Sequence, residues 1–228
     1  MNIATLSRIA PFTLYMIFVA LEGFLHYLVN KGLLTIPDHY LLCLYPLKVL
    51  AVALVLFYFR RSYTEIRFKE LLSLALFLFS SLAGIAVFIL WINLDQPFAT
   101  IGTLRGFDPN LFPAEGMRIF LIATRLAGAA LVVPLMEELF WRSFLIRYII
   151  SPDFSKTPLG RFTWPSFLIT TVLFGLEHNL FLAGMLAGIA YNLLLYRTKS
   201  LAACIYAHGL TNLALGIYVL QTGKWYFW

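Results

Sequence analysis

Charge is what this chain has least of. Asp, Glu, Lys and Arg make up 12% of its 228 residues, while apolar residues make up 61%. Soluble globular domains carry about 25% charged and about 45–50% apolar residues. Half the usual charge leaves too little polar surface to meet water, which excludes a soluble globular protein and leaves lipid as the solvent. Cysteine is scarce too. Cys43 and Cys204 both sit inside apolar runs, so no disulfide framework is indicated. HExxH and GxSxG are missing, which sets aside the zincin helix and the nucleophile elbow. There is no internal repeat, which argues against a transporter built from related halves. The net charge of +6 does not point to nucleic acid, because the cations cluster in short loops between apolar runs.

Long apolar runs are what the chain has in their place. A bilayer core about 30 Å thick needs about 20 apolar residues per helix. Runs of that kind fall near 11–29, 41–59, 71–92, 118–136, 163–180, 181–196 and 201–220. The stretch 137–150 either lengthens the fourth or forms an eighth, and Pro134 is expected to kink it. The run from Pro11 contains Glu22 and lacks a small-residue cleavage site, so it reads as a first span. The expected fold is all-α: one polytopic membrane domain over 1–228 with about seven or eight transmembrane helices. Residues 1–117 supply N-terminal helices, and 118–220 a motif-bearing core.

Orientation follows from the loop cations. With the N-terminus cytoplasmic, the inner side holds Arg8, Arg60, Arg61, Arg67, Lys69, Arg142, Arg147, Lys156, Arg161, Arg197 and Lys199. The outer side holds Lys31, Arg105, Arg118 and Lys224. The expected location is an integral, multi-pass membrane protein with its N-terminus cytoplasmic.

Ionisable residues inside spans cost ~2.5–3.5 kcal/mol each at mid-bilayer, so those retained are read as used. Three clusters stand out: Glu137-Glu138-Leu139-Phe140-Trp141-Arg142, Phe174-Gly175-Leu176-Glu177-His178-Asn179, and His208-Gly209-Leu210-Thr211-Asn212. Glu138 and Arg142, four apart, can pair along one helical face, while Glu137 points about 100° away and stays free. Phe174 with His178, and His208 with Asn212, each share a face. Glu177 is one helical step from His178 and reads as a supporting partner. Elsewhere, Glu22 and Lys48 are expected to bridge spans one and two, and Arg125 to join them or snorkel. His39 is expected in solvent, and Trp225, Tyr226 and Trp228 at the lipid interface.

One free carboxylate, a neighbouring ion pair and two imidazoles suit attack by an activated water, with or without a metal. A histidine kept only for a backbone carbonyl, or a polar interhelical contact, explains each cluster taken singly. Their order, EExxxR then FxxxH then Hxxx(N/D) on late apolar helices, resembles the CAAX prenyl protease and bacteriocin-processing (CPBP) family of intramembrane proteases. The segment from RTKS into SLAACIYAHGLTN resembles the bacterial members associated with exosortase systems. The resemblance implies an intramembrane endopeptidase acting on a lipidated or membrane-embedded peptide, a prenylated CAAX tail being the best-known case. By it, Glu137 activates water with His178, His208 and Asn212 stabilise the oxyanion, and Glu138 with Arg142 supports the site. It also implies a second chemistry in which Glu137, His178 and His208 hold a metal such as zinc. The alternative is a non-enzymatic scaffold or immunity protein that keeps the polar cluster for partner binding.

Overall fold

The computed structural model describes residues 2–102 and 106–228, with Asp38 described by its backbone alone. Arg105, one of the outer cations counted above, lies outside the described residues. The chain is an all-helical membrane bundle: α1 Ile3–Asn30, α2 Leu44–Tyr58, α3 Leu74–Ile92, α4 Glu115–Ile150, α5 Trp164–Leu176, α6 Phe181–Thr198 and α7 Leu201–Thr222. Five of these elements (α1, α2 with its 3-10 lead-in from His39, α3, α4 and α7) are long and apolar enough to cross a membrane. Side chains set several of the boundaries. Asn2 caps α1 through Thr5 N–H, and Ser200 caps α7 through Ala203 N–H. Lys199 ends α6 and Gly223 ends α7, each in the left-handed region.

The stretch 137–150 continues the fourth helix, which therefore runs 36 residues to Ile150. Two π-helical segments interrupt it, Gly128–Val132 and Leu139–Leu145. The first explains how Pro134 is accommodated. Val133 N–H bonds to Gly128 O, five residues back, so the next donor in that register would serve Ala129 O. Proline has no N–H to give. Asn212 of α7 fills the gap, its Nδ2 donating to Ala129 O at 2.8 Å.

The fifth run is shorter than its apolar stretch. α5 ends at Leu176, and 13 residues rise about 20 Å, less than the bilayer core. A helix that short does not cross the core alone, and irregular backbone within the core is tolerated only inside protein or along a polar cavity; residues 177–180 line such a cavity. Ile101 N–H, from the loop between α3 and α4, bonds to this turn at Asn179 O at 2.7 Å.

Ion pairs fasten the two ends of the bundle. At the end holding most cations, Arg8 forks onto Glu65 at 2.8 and 2.6 Å, and Ser143 donates to the same carboxylate. Phe154, from the polar insert after α4, is buried beneath the Arg8 and Arg147 guanidiniums. Arg8, Arg142 and Arg147 are thus buried rather than free loop charges, and the loop bias stands without them. Toward the other end Lys48 meets Glu22 at 2.9 Å, the expected bridge between α1 and α2. Two expectations there are corrected. His39 packs in ring contact with Tyr40 and Phe112, and Trp228 is buried against Phe107 and Gly216. Both are drawn in because residues 94–102, 106–112 and 225–228 bring aromatic and other apolar side chains together over the helix ends.

The tightest helix contact joins α3 to α7. A Cβ at Gly84 would stand 2.5 Å from Ala207 O, so only glycine lets the backbones approach. Thr211 Oγ1 donates to Gly84 O at 2.7 Å across the same contact.

Candidate functional site

α4 holds Glu137 and Glu138 in its interior, away from either end. Thirteen residues separate Glu137 from the helix end at Ile150 and fourteen separate His178 from the start of α5 at Trp164. At ~1.5 Å per residue both lie about 20 Å from the same end of the bundle. The sequence-derived residues Glu137, His178, His208 and Asn212 all line one cavity of about 690 Å³.

Glu138 and Arg142 form a buried pair at 3.2 Å, with side chains 0% and 1% exposed. The Arg142 guanidinium lies 4.3 Å from the Phe174 ring centroid. Phe174 therefore serves twice, since its carbonyl also accepts from His178 Nδ1 at 2.7 Å. This is the physical content of the FxxxH spacing, and it survives although His178 lies beyond the end of α5. With Nδ1–H held by a carbonyl, Nε2 of neutral His178 keeps its lone pair.

His208 is held differently. Its Nδ1 lies 2.9 Å from Glu138 Oε1, the same oxygen that takes Arg142, and its Nε2 lies 3.9 Å from Glu137 Oε2. Tyr191 stacks on the imidazole at 5.0 Å and Phe174 meets it edge-on. An ionised Glu138 fixes the proton on Nδ1, which turns a lone pair of neutral His208 toward Glu137. Asn212 spends one amide hydrogen on Ala129 O and retains the other.

Glu137 itself is buried, and its Oε2 has no hydrogen-bond partner. A buried polar atom of this kind calls for an explanation. Glu177 joins it: one ligand atom each from Glu137, Glu177 and His178 lie within 4.8 Å of one another. Trp141 Nε1 steadies Glu177 Oε1 at 3.1 Å. A strict helical reading turned Glu177 away from His178. The break after Leu176 undoes that assumption, and the sequence signal for it was a glutamate beside a histidine in an otherwise apolar stretch. His208 is outside this three-residue group.

The donor set fits a metal. Two carboxylates and an imidazole converge, and a His178 that binds through Nε2 has its Nδ1 held by a carbonyl, as in metal-binding histidines. The same groups equally suit proton transfer to and from water.

No curated protein and no solved structure matches this chain. One family model does, and every residue of the cluster falls within its reach: residues 119–214, from α4 into α7, match the Rce1-like type II CAAX prenyl endopeptidases.

Proposed function

We propose that the chain is an intramembrane endopeptidase in which Glu137 activates the attacking water. The family match supports a membrane peptidase in general terms. The finer reading is carried by Glu137 Oε2, a buried carboxylate oxygen without a donor, in a cavity shared with Glu177 and His178. In this reading Glu137 takes a proton as the water oxygen bonds to the scissile carbonyl carbon, whose oxygen becomes an oxyanion. The remaining amide hydrogen of Asn212 donates to that oxyanion. His208 can do so at Nε2 only as imidazolium, because its Nδ1 proton is committed to Glu138. The tetrahedral adduct then breaks its C–N bond, and the proton on Glu137 passes to the leaving amine directly or through His178 Nε2. Glu138 and Arg142 position His208 and touch no reacting atom.

Glu137, Glu177 and His178 are the residues that would hold a metal, with His208 Nε2 beside Glu137. Bound there, it would supply Lewis-acid polarisation of the scissile carbonyl. The substrate class is a lipidated or membrane-embedded peptide, with a prenylated tail as the first to try. The N-terminus lies in the cytoplasm, on the side of the basic loops, in a bacterial inner membrane.

The test is cleavage of lipidated peptides by protein in liposomes, with and without a chelator. Glu137→Gln keeps shape and should cost at least ~10²-fold in rate, with melting temperature unchanged. A Glu137→Gln chain that cleaves at the normal rate sinks the mechanism. Loss of cleavage on chelation, restored by zinc, assigns the metal route, and indifference to the chelator assigns the metal-free one.

A further inference from the structure

Four residues of α4 line the cavity at intervals of four: Arg125, Ala129, Val133 and Glu137. In an unbroken α-helix such a row drifts ~40° per step. The π segment at Gly128–Val132 winds more residues into its turn and keeps the row on one side. The row joins two opposite charges. Glu137 stands at one end, near Glu177, and Arg125 at the other.

Arg125 is held in place yet not neutralised. Its guanidinium lies 4.4 Å from the Tyr45 ring centroid and 5.3 Å from that of Phe107. Its Nε is buried and has no hydrogen-bond partner. Among the described residues no carboxylate forms an ion pair with it, and the nearby cation Lys48 is already paired with Glu22. A guanidinium at the cavity wall, braced by two aromatic faces and without a carboxylate partner of its own, is suited to a planar carboxylate.

We infer that Arg125 anchors a carboxylate of the peptide substrate, in the first instance its free C-terminus. This rests on the peptidase reading and extends it to substrate direction and register. The acidic end of the cavity repels a carboxylate and Arg125 attracts it, so the chain lies with its carboxyl end at Arg125 and its scissile bond at Glu137. Twelve helical residues span about 18 Å, and an extended peptide covers ~3.3–3.6 Å per residue. With the reach of the Arg125 side chain taken off that span, the anchor stands a few residues beyond the scissile bond on its carboxyl side. An acidic side chain at the same distance in a longer peptide meets the same anchor.

The experiment has a binding arm that needs no turnover. An N-acylated fluorescent peptide, with either a free C-terminal carboxyl or a C-terminal amide, is titrated into the Glu137→Gln chain in nanodiscs. The acid should bind ~10-fold or more tightly than the amide. The preference should vanish in Glu137→Gln/Arg125→Gln and partly return in Glu137→Gln/Arg125→Lys. An amide carrying one aspartate at its last position should bind like the acid. Equal binding of acid and amide, or none of either, overturns the anchor, and that comparison stands even if Arg125→Gln does not fold. A second arm follows wild-type products by mass spectrometry as the peptide's C-terminus is extended. The cut should move with the carboxylate, and a cut that stays fixed overturns the register. Acid preference in a chain that cleaves nothing keeps the anchor and sinks the peptidase.

Discussion

Glu138 holds two partners with one oxygen, and its removal should separate stability from chemistry. Oε1 accepts from Arg142 at 3.2 Å and from His208 at 2.9 Å, in surroundings closed to solvent. Glu138→Leu leaves the Arg142 guanidinium buried and unpaired, at a cost of ~3–5 kcal/mol. The cut His208 bond adds ~1–3 kcal/mol. At ~2–4 °C per kcal/mol for a chain of this size, the melting temperature should fall by roughly 8–32 °C. Replacing both partners with apolar residues of similar volume, Glu138→Leu with Arg142→Met, removes the stranded charge and should recover much of that loss. Turnover should not return, because His208 still lacks the acceptor that fixes its Nδ1 proton. The assay is a thermal melt in detergent beside single-turnover cleavage for wild type, both single variants and the double. A double variant that regains its melting temperature and its rate together refutes the positioning role. An unchanged melting temperature in Glu138→Leu refutes the ion-pair argument.

Asn212→Ala leaves Ala129 O without a donor and should cost ~1–3 kcal/mol. Adding Pro134→Ala supplies a backbone N–H and should return part of it, and additive losses in the double variant would show that Asn212 does not serve that carbonyl. Burial opposes ionisation of Glu65, but hydrogen bonds from Arg8 and Ser143 outweigh it and hold this loop carboxyl below the ordinary value of 4.5. Its stabilisation is therefore complete above that pH and lost as pH falls through the lower folded value. Melting temperature should drop on acidification from about pH 4.5, with a shallower slope in Glu65→Gln; identical slopes remove Glu65 as the cause. A reporter fused after Arg67 should read cytoplasmic and one fused near Asp108 external, and the reverse pattern overturns the orientation.

Much of this was legible in the sequence because charge inside lipid is rare enough to point at itself. The pairs Glu138–Arg142 and Glu22–Lys48 followed from spacing and desolvation cost alone, while the lengthened fourth helix was one of two readings the sequence left open. What escaped depends on departures from ideal helical geometry. A face argument assumes 3.6 residues per turn. α4 abandons that count at Gly128–Val132 and α5 stops at Leu176, so Glu177 turned up beside His178 instead of a step away. The double use of Glu138 Oε1 was hidden for another reason: His208 is 70 residues distant, and no local pattern encodes which helices meet. The burial of Trp228 was hidden likewise, since an aromatic suits a lipid interface and a closed helix end equally well.

The close approach at Gly84 decides where the bundle can yield. Backbone against backbone has no side-chain rotamer with which to relax, so sliding α3 along α7 would collide Gly84 with Ala207 and break the Thr211 bond. The two helices form a rigid spine, and α7 carries His208 and Asn212 on it. α1 beyond its buried start is the opposite case: Arg8 pins that start to Glu65, but the most apolar window of the helix has 0% of its residues buried, and Glu22, at the cavity wall, ties it to Lys48. A peptide arriving sideways through the bilayer would meet least resistance along that outer stretch of α1, away from its Arg8 anchor and from the α3–α7 spine.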